Sequence, residues 1–170
     1  MFHPTVFDNL KVAFENNLYD LDNLDGIIEI TGRRDILDMA VMSRELALGF
    51  RLAGDSRVKA ELVLSATLNE LAAEILEQEE GTHGSKLALR FILTVLNEDE
   101  CAGIERCIED IWHPEQKPVQ TLSRTFGSGE GGYSNTIELG FHRRIGEEQI
   151  EDIPDLLDHA VRTLTALKGL

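Results

Sequence analysis

Residues 45–52 read ELALGFRL, residues 86–93 read KLALRFIL and residues 136–141 read TIELGF. In each stretch, leucine, isoleucine or phenylalanine falls at every second position. A period of two puts those side chains on one face of a β-strand, where they can line a shared core. The organising element is therefore an antiparallel sheet.

The flanking sequence extends this reading. Residues 53–57, AGDSR, are turn formers. Beyond them Val58, Ala60, Leu62 and Leu64 alternate with Lys59, Glu61 and Val63, so the chain doubles back as a hairpin. Upstream, Asp25-Gly26 launches a strand over 27–31. Residues 33–44 fit either a short helix or a strand start, and the strand-like continuation favours a strand. In the second quoted stretch the reverse face carries Ala88, Arg90, Ile92 and Thr94, which predicts a central strand covered on both sides. Residues 119–126 and 133–143 read as two further strands around a glycine-rich turn.

Helical spacing appears four times. Phe7, Leu10, Phe14, Leu18 and Leu21 form the first stripe, with Pro4 in its opening turn. Thr67 and Glu70 match a capping box ahead of Leu68, Leu71, Ala72, Ile75 and Leu76, and Gly81 supplies a stop. Asn97 and Glu100 open a third helix through Ile104, Ile108 and Ile111, which His113-Pro114 ends. Ile153, Leu157, Ala160, Leu164 and Leu167 follow Asp152, with Pro154 in the first turn and Gly169 at the stop. The order α, β, β, β, α, β, α, β, β, α specifies the α+β class. It predicts an antiparallel sheet of five to six strands with three to four helices packed on one face. A single domain of 170 residues accommodates this, with duplication of a strand–helix unit as the alternative reading.

Composition narrows the functions. Hydrophobic residues make up 42% and charged residues 28%, ordinary values for a globular chain. Apolar runs are short and broken by charge, which excludes a membrane span, and the start lacks a basic segment leading into an apolar one. The net charge of −15 repels nucleic acid and anionic lipid. Cys101 and Cys107 lie six apart on one helix, about 9 Å along its axis, beyond disulfide reach. They form no CxxC pair, so a reducing cytoplasm is expected. Glu147, Glu148, Glu151, Asp152, Asp155 and Asp158 form an acidic run, while Arg33, Arg34, Arg44, Arg51, Arg57 and Lys59 dominate residues 32–60. That asymmetry offers one copy's basic half to another copy's acidic half; solvated surface is the plainer explanation.

Candidate sites are few. Gly127, Gly129 and Gly132 satisfy G-x-G-x-x-G. In dinucleotide-binding folds that motif leads into a helix, whereas here a strand follows, and Glu130 would repel phosphate. Glycines that relieve a hairpin turn explain the pattern better. Tyr133, His142, Arg143 and Arg144 follow the loop and could serve a ligand there; His142, Arg143 and Arg144, with Arg33 and Arg34, could hold an anion, although carboxylates are plentiful enough to occupy the arginines. The five histidines, at 3, 83, 113, 142 and 159, make no close ligand pair, so no metal is expected, and no cofactor. No G-x-S-x-G elbow is present. Two functions remain. One is a non-catalytic protein acting by self-association, as a homodimer, or by binding a protein partner. The other binds an anionic metabolite or nucleotide, as receptor or enzyme, beside the loop at residues 127–132.

Overall fold

A computed structural model describes residues 5–76 and 84–170. Helix α1 (Val6–Asn23) precedes strands β1 (Ile28–Asp38), β2 (Ser43–Leu52) and β3 (Lys59–Ala66). Helix α2 (Leu68–Ile75), strand β4 (Lys86–Val95), helix α3 (Glu100–Trp112), strands β5 (Val119–Ser123) and β6 (Tyr133–Gly140), a 3-10 turn (Glu147–Asp152) and helix α4 (Ile153–Lys168) follow. The six strands form one antiparallel sheet in the order β1-β2-β3-β4-β6-β5. This is the α+β architecture expected.

The alternation quoted above lines up across the strands. Register brings Leu48, Leu62 and Leu89 side by side, with Leu139 beyond, and likewise Phe50, Ala60, Phe91 and Ile137. All eight are buried. Phe7, Leu10, Phe14 and Leu18 of α1, Ile104 and Ile108 of α3, and five apolar residues of α4 close over that face in one cluster. Burying a Leu, Ile or Phe side chain contributes about 1.5–3 kcal/mol. This shared layer therefore fixes strand register, because a one-residue slip would turn every apolar side chain outward.

The other face, expected to be covered as well, is mixed: along β4 Ala88 is buried, Arg90 and Ile92 are half-buried and Thr94 is exposed. Glu138 of β6, Arg90 of β4 and Glu61 of β3 stand in one cross-strand row. Arg90 bonds Glu61 at 3.0 Å and lies 3.7 Å from Glu138. Arg34 of β1 reaches across β2 to Glu61 and Glu45. Ala47 and Ala88 on the same face are buried, and at Gly49 a Cβ would meet the Thr31 hydroxyl. Among the described residues the reverse face thus carries a charged row, with Ala47, Val63 and Ala88 buried beside it.

Local signals explain the ends. Thr5 caps α1, its hydroxyl accepting from the Asp8 N–H at 3.1 Å while Asp8 receives the Thr5 N–H. That capping box lies one residue beyond Pro4, which falls outside the described residues. The Thr67–Glu70 box forms as expected; the stop at Gly81 lies outside the described residues. At the third helix, Glu100 accepts the Asn97 N–H at 3.4 Å, but the helix begins at Glu100 itself. His113 ends α3 in a left-handed conformation ahead of Pro114. Residues 33–44, ambiguous in sequence, are the second half of β1, a tight turn at 39–42 and the first two residues of β2. Both strands around the glycine-rich turn are shorter than read, because Arg124 and Phe126 leave the sheet, as do Phe141 and His142.

Candidate functional site

Strand β6 separates the candidate residues into two groups. Gly127, Gly129, Gly132 and Tyr133 lie at its start, and His142, Arg143 and Arg144 beyond its end. Nine residues of extended chain from Tyr133 to His142 span about 30 Å. A single metabolite does not reach both groups.

At the first end, the three glycines hold φ of 75°, 71° and 92°. Gly132 also lies so close to the Val95 carbonyl that a Cβ would overlap it. Backbone geometry thus accounts for these glycines, as the turn reading requires. The loop bounds a depression of about 260 Å³. Its floor is a cross-strand row of hydroxyls from Thr94, Ser134 and Ser123. The Arg124 guanidinium stands 5.6 Å from the Tyr133 ring centroid, a cation–π distance. Glu130 lines the same depression.

At the second end, Trp112 packs edge-on against Phe141 at 5.8 Å and tilts over His159 at 5.3 Å. Its Nε1–H donates to the buried Thr163 hydroxyl at 2.8 Å, which in turn donates to the His159 carbonyl. Beside this cluster a second cavity of about 260 Å³ is lined by Trp112, His113, Pro114, Glu115, Gln116, Leu139, Phe141, His142 and Arg143. It opens where β5 stops short of β6, at Val119 opposite Glu138. Arg144 turns away to pair with Glu70, the buried capping carboxylate of α2.

Arg33 and Arg34 stand on β1, at the far edge of the sheet from Arg143 and Arg144. Four strand spacings make that about 19 Å. Each is satisfied nearby: Arg33 bonds Glu15 of α1 at 2.6 Å and Arg34 bonds Glu45 at 3.1 Å. The four arginines form no common anion site. Arg44 bonds Asp8 at 2.5 Å and Asp35 at 3.5 Å, and covers the Phe7 ring at 4.7 Å. Partial burial pushes Asp8 and Asp35 upward. Hydrogen bonds from Arg44 and from Thr5 or Lys11 outweigh it, holding both carboxyls below their ordinary value. Burial, then neighbouring carboxylates, raises the pKa of the Cys101 and Cys107 thiols. Raised thiols are poor nucleophiles. Among the described residues no three His, Cys, Asp or Glu are placed to hold a metal ion. Nor, among them, is any helix long and apolar enough to cross a membrane.

A third surface escaped the sequence reading. The β1–β2 turn exposes Ile36, Leu37, Met39, Val41 and Met42, with Met39 73% accessible. Register sets Arg44 of β2 beside Ala66 of β3, so α2 starts next to this tip; Leu68 and Ile75 of α2, and Leu76 just beyond it, are exposed as well. Met42 adopts φ 56°, a left-handed conformation uncommon outside glycine. The signal was present as five apolar residues without a period. Comparison of the chain with protein-family models, with curated proteins and with solved structures finds no match.

Proposed function

We propose that the protein works without catalysis, by association of folded chains, and that the apolar end of the sheet is its docking surface. The observation that carries this reading is the exposure of eight large apolar side chains at the β1–β2 tip, on α2 and at Leu76 just past it. Large exposed apolar side chains concentrated on one part of a molecule mark interaction sites. The first partner is a second copy of the chain. A cytoplasmic setting suits two separated, free thiols.

Sedimentation velocity across a wide concentration range tests the proposal. The expected result is reversible self-association that weakens in a Met39→Asp, Val41→Asp double variant. A strict monomer at every concentration overturns it.

A second reading is supported by the hydroxyl row under the glycine loop. Thr94, Ser123 and Ser134, with Arg124 above, offer donors to an anionic metabolite or nucleotide. Inorganic phosphate and adenosine nucleotides in a thermal-shift series test it, since a ligand of the folded state raises the melting temperature. No shift at millimolar ligand removes this reading.

A further inference from the structure

We propose that two copies join edge to edge through β5, each inserting Phe126 into the cavity beside the other's Trp112. This rests on the self-association part of the reading above and adds a second contact, at the opposite edge of the sheet from the β1–β2 tip.

The sheet has two open edges, and they are built differently. β1 carries Glu29, Arg33, Arg34, Asp35 and Asp38 and is interrupted by a bulge between Ile30 and Gly32. Charges and bulges are the devices that stop edge strands from pairing with other chains. β5 reads VQTLS, with no charge and no internal proline. Gln120 ties it to α3 through the Cys101 carbonyl at 2.8 Å, while Val119, Thr121 and Ser123 face solvent. An edge strand held in place and left unblunted suits strand addition.

A two-fold axis at Thr121 pairs Val119 with the partner's Ser123, and the reciprocal contact follows from symmetry. That register sets the Ser123 end of β5, from which the chain runs on to Phe126, beside the partner's Val119, where the Trp112 cavity opens. Phe126 is 102% accessible, an aromatic ring with no contact of its own to protect. The cavity, at about 260 Å³, exceeds the roughly 150 Å³ apolar cavity that holds a benzene molecule. Charge also matches. Arg124 and Glu130 flank Phe126 on the loop, while Glu115 and Arg143 flank Trp112 at the cavity.

Trp112 is the only tryptophan in the chain, so its emission reports occupancy of the cavity. The experiment combines sedimentation velocity with Trp112 fluorescence on the full chain, for the wild type, Phe126→Ser and the Met39→Asp, Val41→Asp double variant. The expected result is an emission shift on dilution that tracks dissociation, with Phe126→Ser weakening the dimer about tenfold or more and abolishing the shift. A wild type that stays monomeric overturns both this inference and the association reading. A dimer untouched by Phe126→Ser but dissolved by the double variant overturns this inference alone. A Thr121→Cys variant, with Cys101 and Cys107 replaced by serine, checks the register: oxidation should trap a covalent dimer, and failure to do so in a dimeric sample refutes the two-fold at Thr121.

Discussion

Replacing Arg44 by methionine should cost about 2 kcal/mol at pH 7, and the loss should fade in acid. The guanidinium makes one close bond to Asp8, a longer one to Asp35 and a ring contact with Phe7. A charge-assisted bond contributes about 1.5–3 kcal/mol when sheltered. With both partners about a quarter exposed, solvent screening pulls that toward the ~1 kcal/mol of a surface pair. The ring contact adds about 0.5–1 kcal/mol, and methionine retains much of the aliphatic packing. In a chain of this size ~2 kcal/mol lowers the melting temperature by about 4–8 °C. Asp8 and Asp35 titrate lower in the folded state than in the unfolded one. Their contribution is therefore complete above the unfolded value near pH 4 and is lost as pH falls through the folded values. Urea unfolding at pH 7, 5 and 3 measures both effects. The difference should be full at pH 7 and smaller at pH 3, below the unfolded value. A difference that is negligible at pH 7, or constant down to pH 3, refutes the assignment of this cluster as the tie between α1 and the β1–β2 hairpin.

Three further outcomes follow from particular contacts. Gly132→Ala should destabilise by more than 1 kcal/mol in urea unfolding, because φ is 92° and the new Cβ meets the Val95 carbonyl; Gly131→Ala, with open space around it, serves as the control and should stay within about 0.5 kcal/mol. Thr163→Val should cost about 1–3 kcal/mol, since it leaves the Trp112 N–H without its acceptor, and the emission of Trp112 should shift with it. Cys101 and Cys107 should react with a disulfide reagent at pH 7 more slowly than a free thiol of pKa near 8.5, with the rate rising into alkaline pH as the raised thiols ionise.

The fold was legible because a period of two and a period of 3.6 are both set by core burial, and the main core lies against one face of the sheet. Leu46, Leu48 and Phe50 announce their strand through that rule, as Ile153, Leu157 and Leu164 announce their helix. Residues 36–42 obey neither period, because a turn that projects from the sheet is not patterned by a core. Their exposure was therefore invisible until β1 and β2 were paired. Chain proximity misled in the same region of inference: Tyr133 and His142 are near in sequence, yet extended backbone carries them to opposite ends of β6. Arg144 looked available for an anion until the fold brought Glu70 beneath it.

The charge pattern also changes meaning once the partners are known. Arg33, Arg34, Arg44 and Arg51 are concentrated in sequence, but each is paired with a carboxylate of its own chain. Arg57 is spent on the last carbonyls of the chain, at Lys168 and Leu170. The basic half thus presents little unneutralised charge to an acidic run on another copy. What acts between copies is the net charge of −15, which is repulsive. Contacts that overcome it must be apolar or backbone-to-backbone, as the β1–β2 tip, Phe126 and the β5 edge are. Salt then strengthens association, because the Debye length shrinks from about 30 Å at 0.01 M to about 8 Å at 0.15 M while burial is unaffected. Attraction between basic and acidic halves would give the opposite slope. Sedimentation at two salt concentrations separates them, and a dimer that dissociates as salt is added refutes the argument.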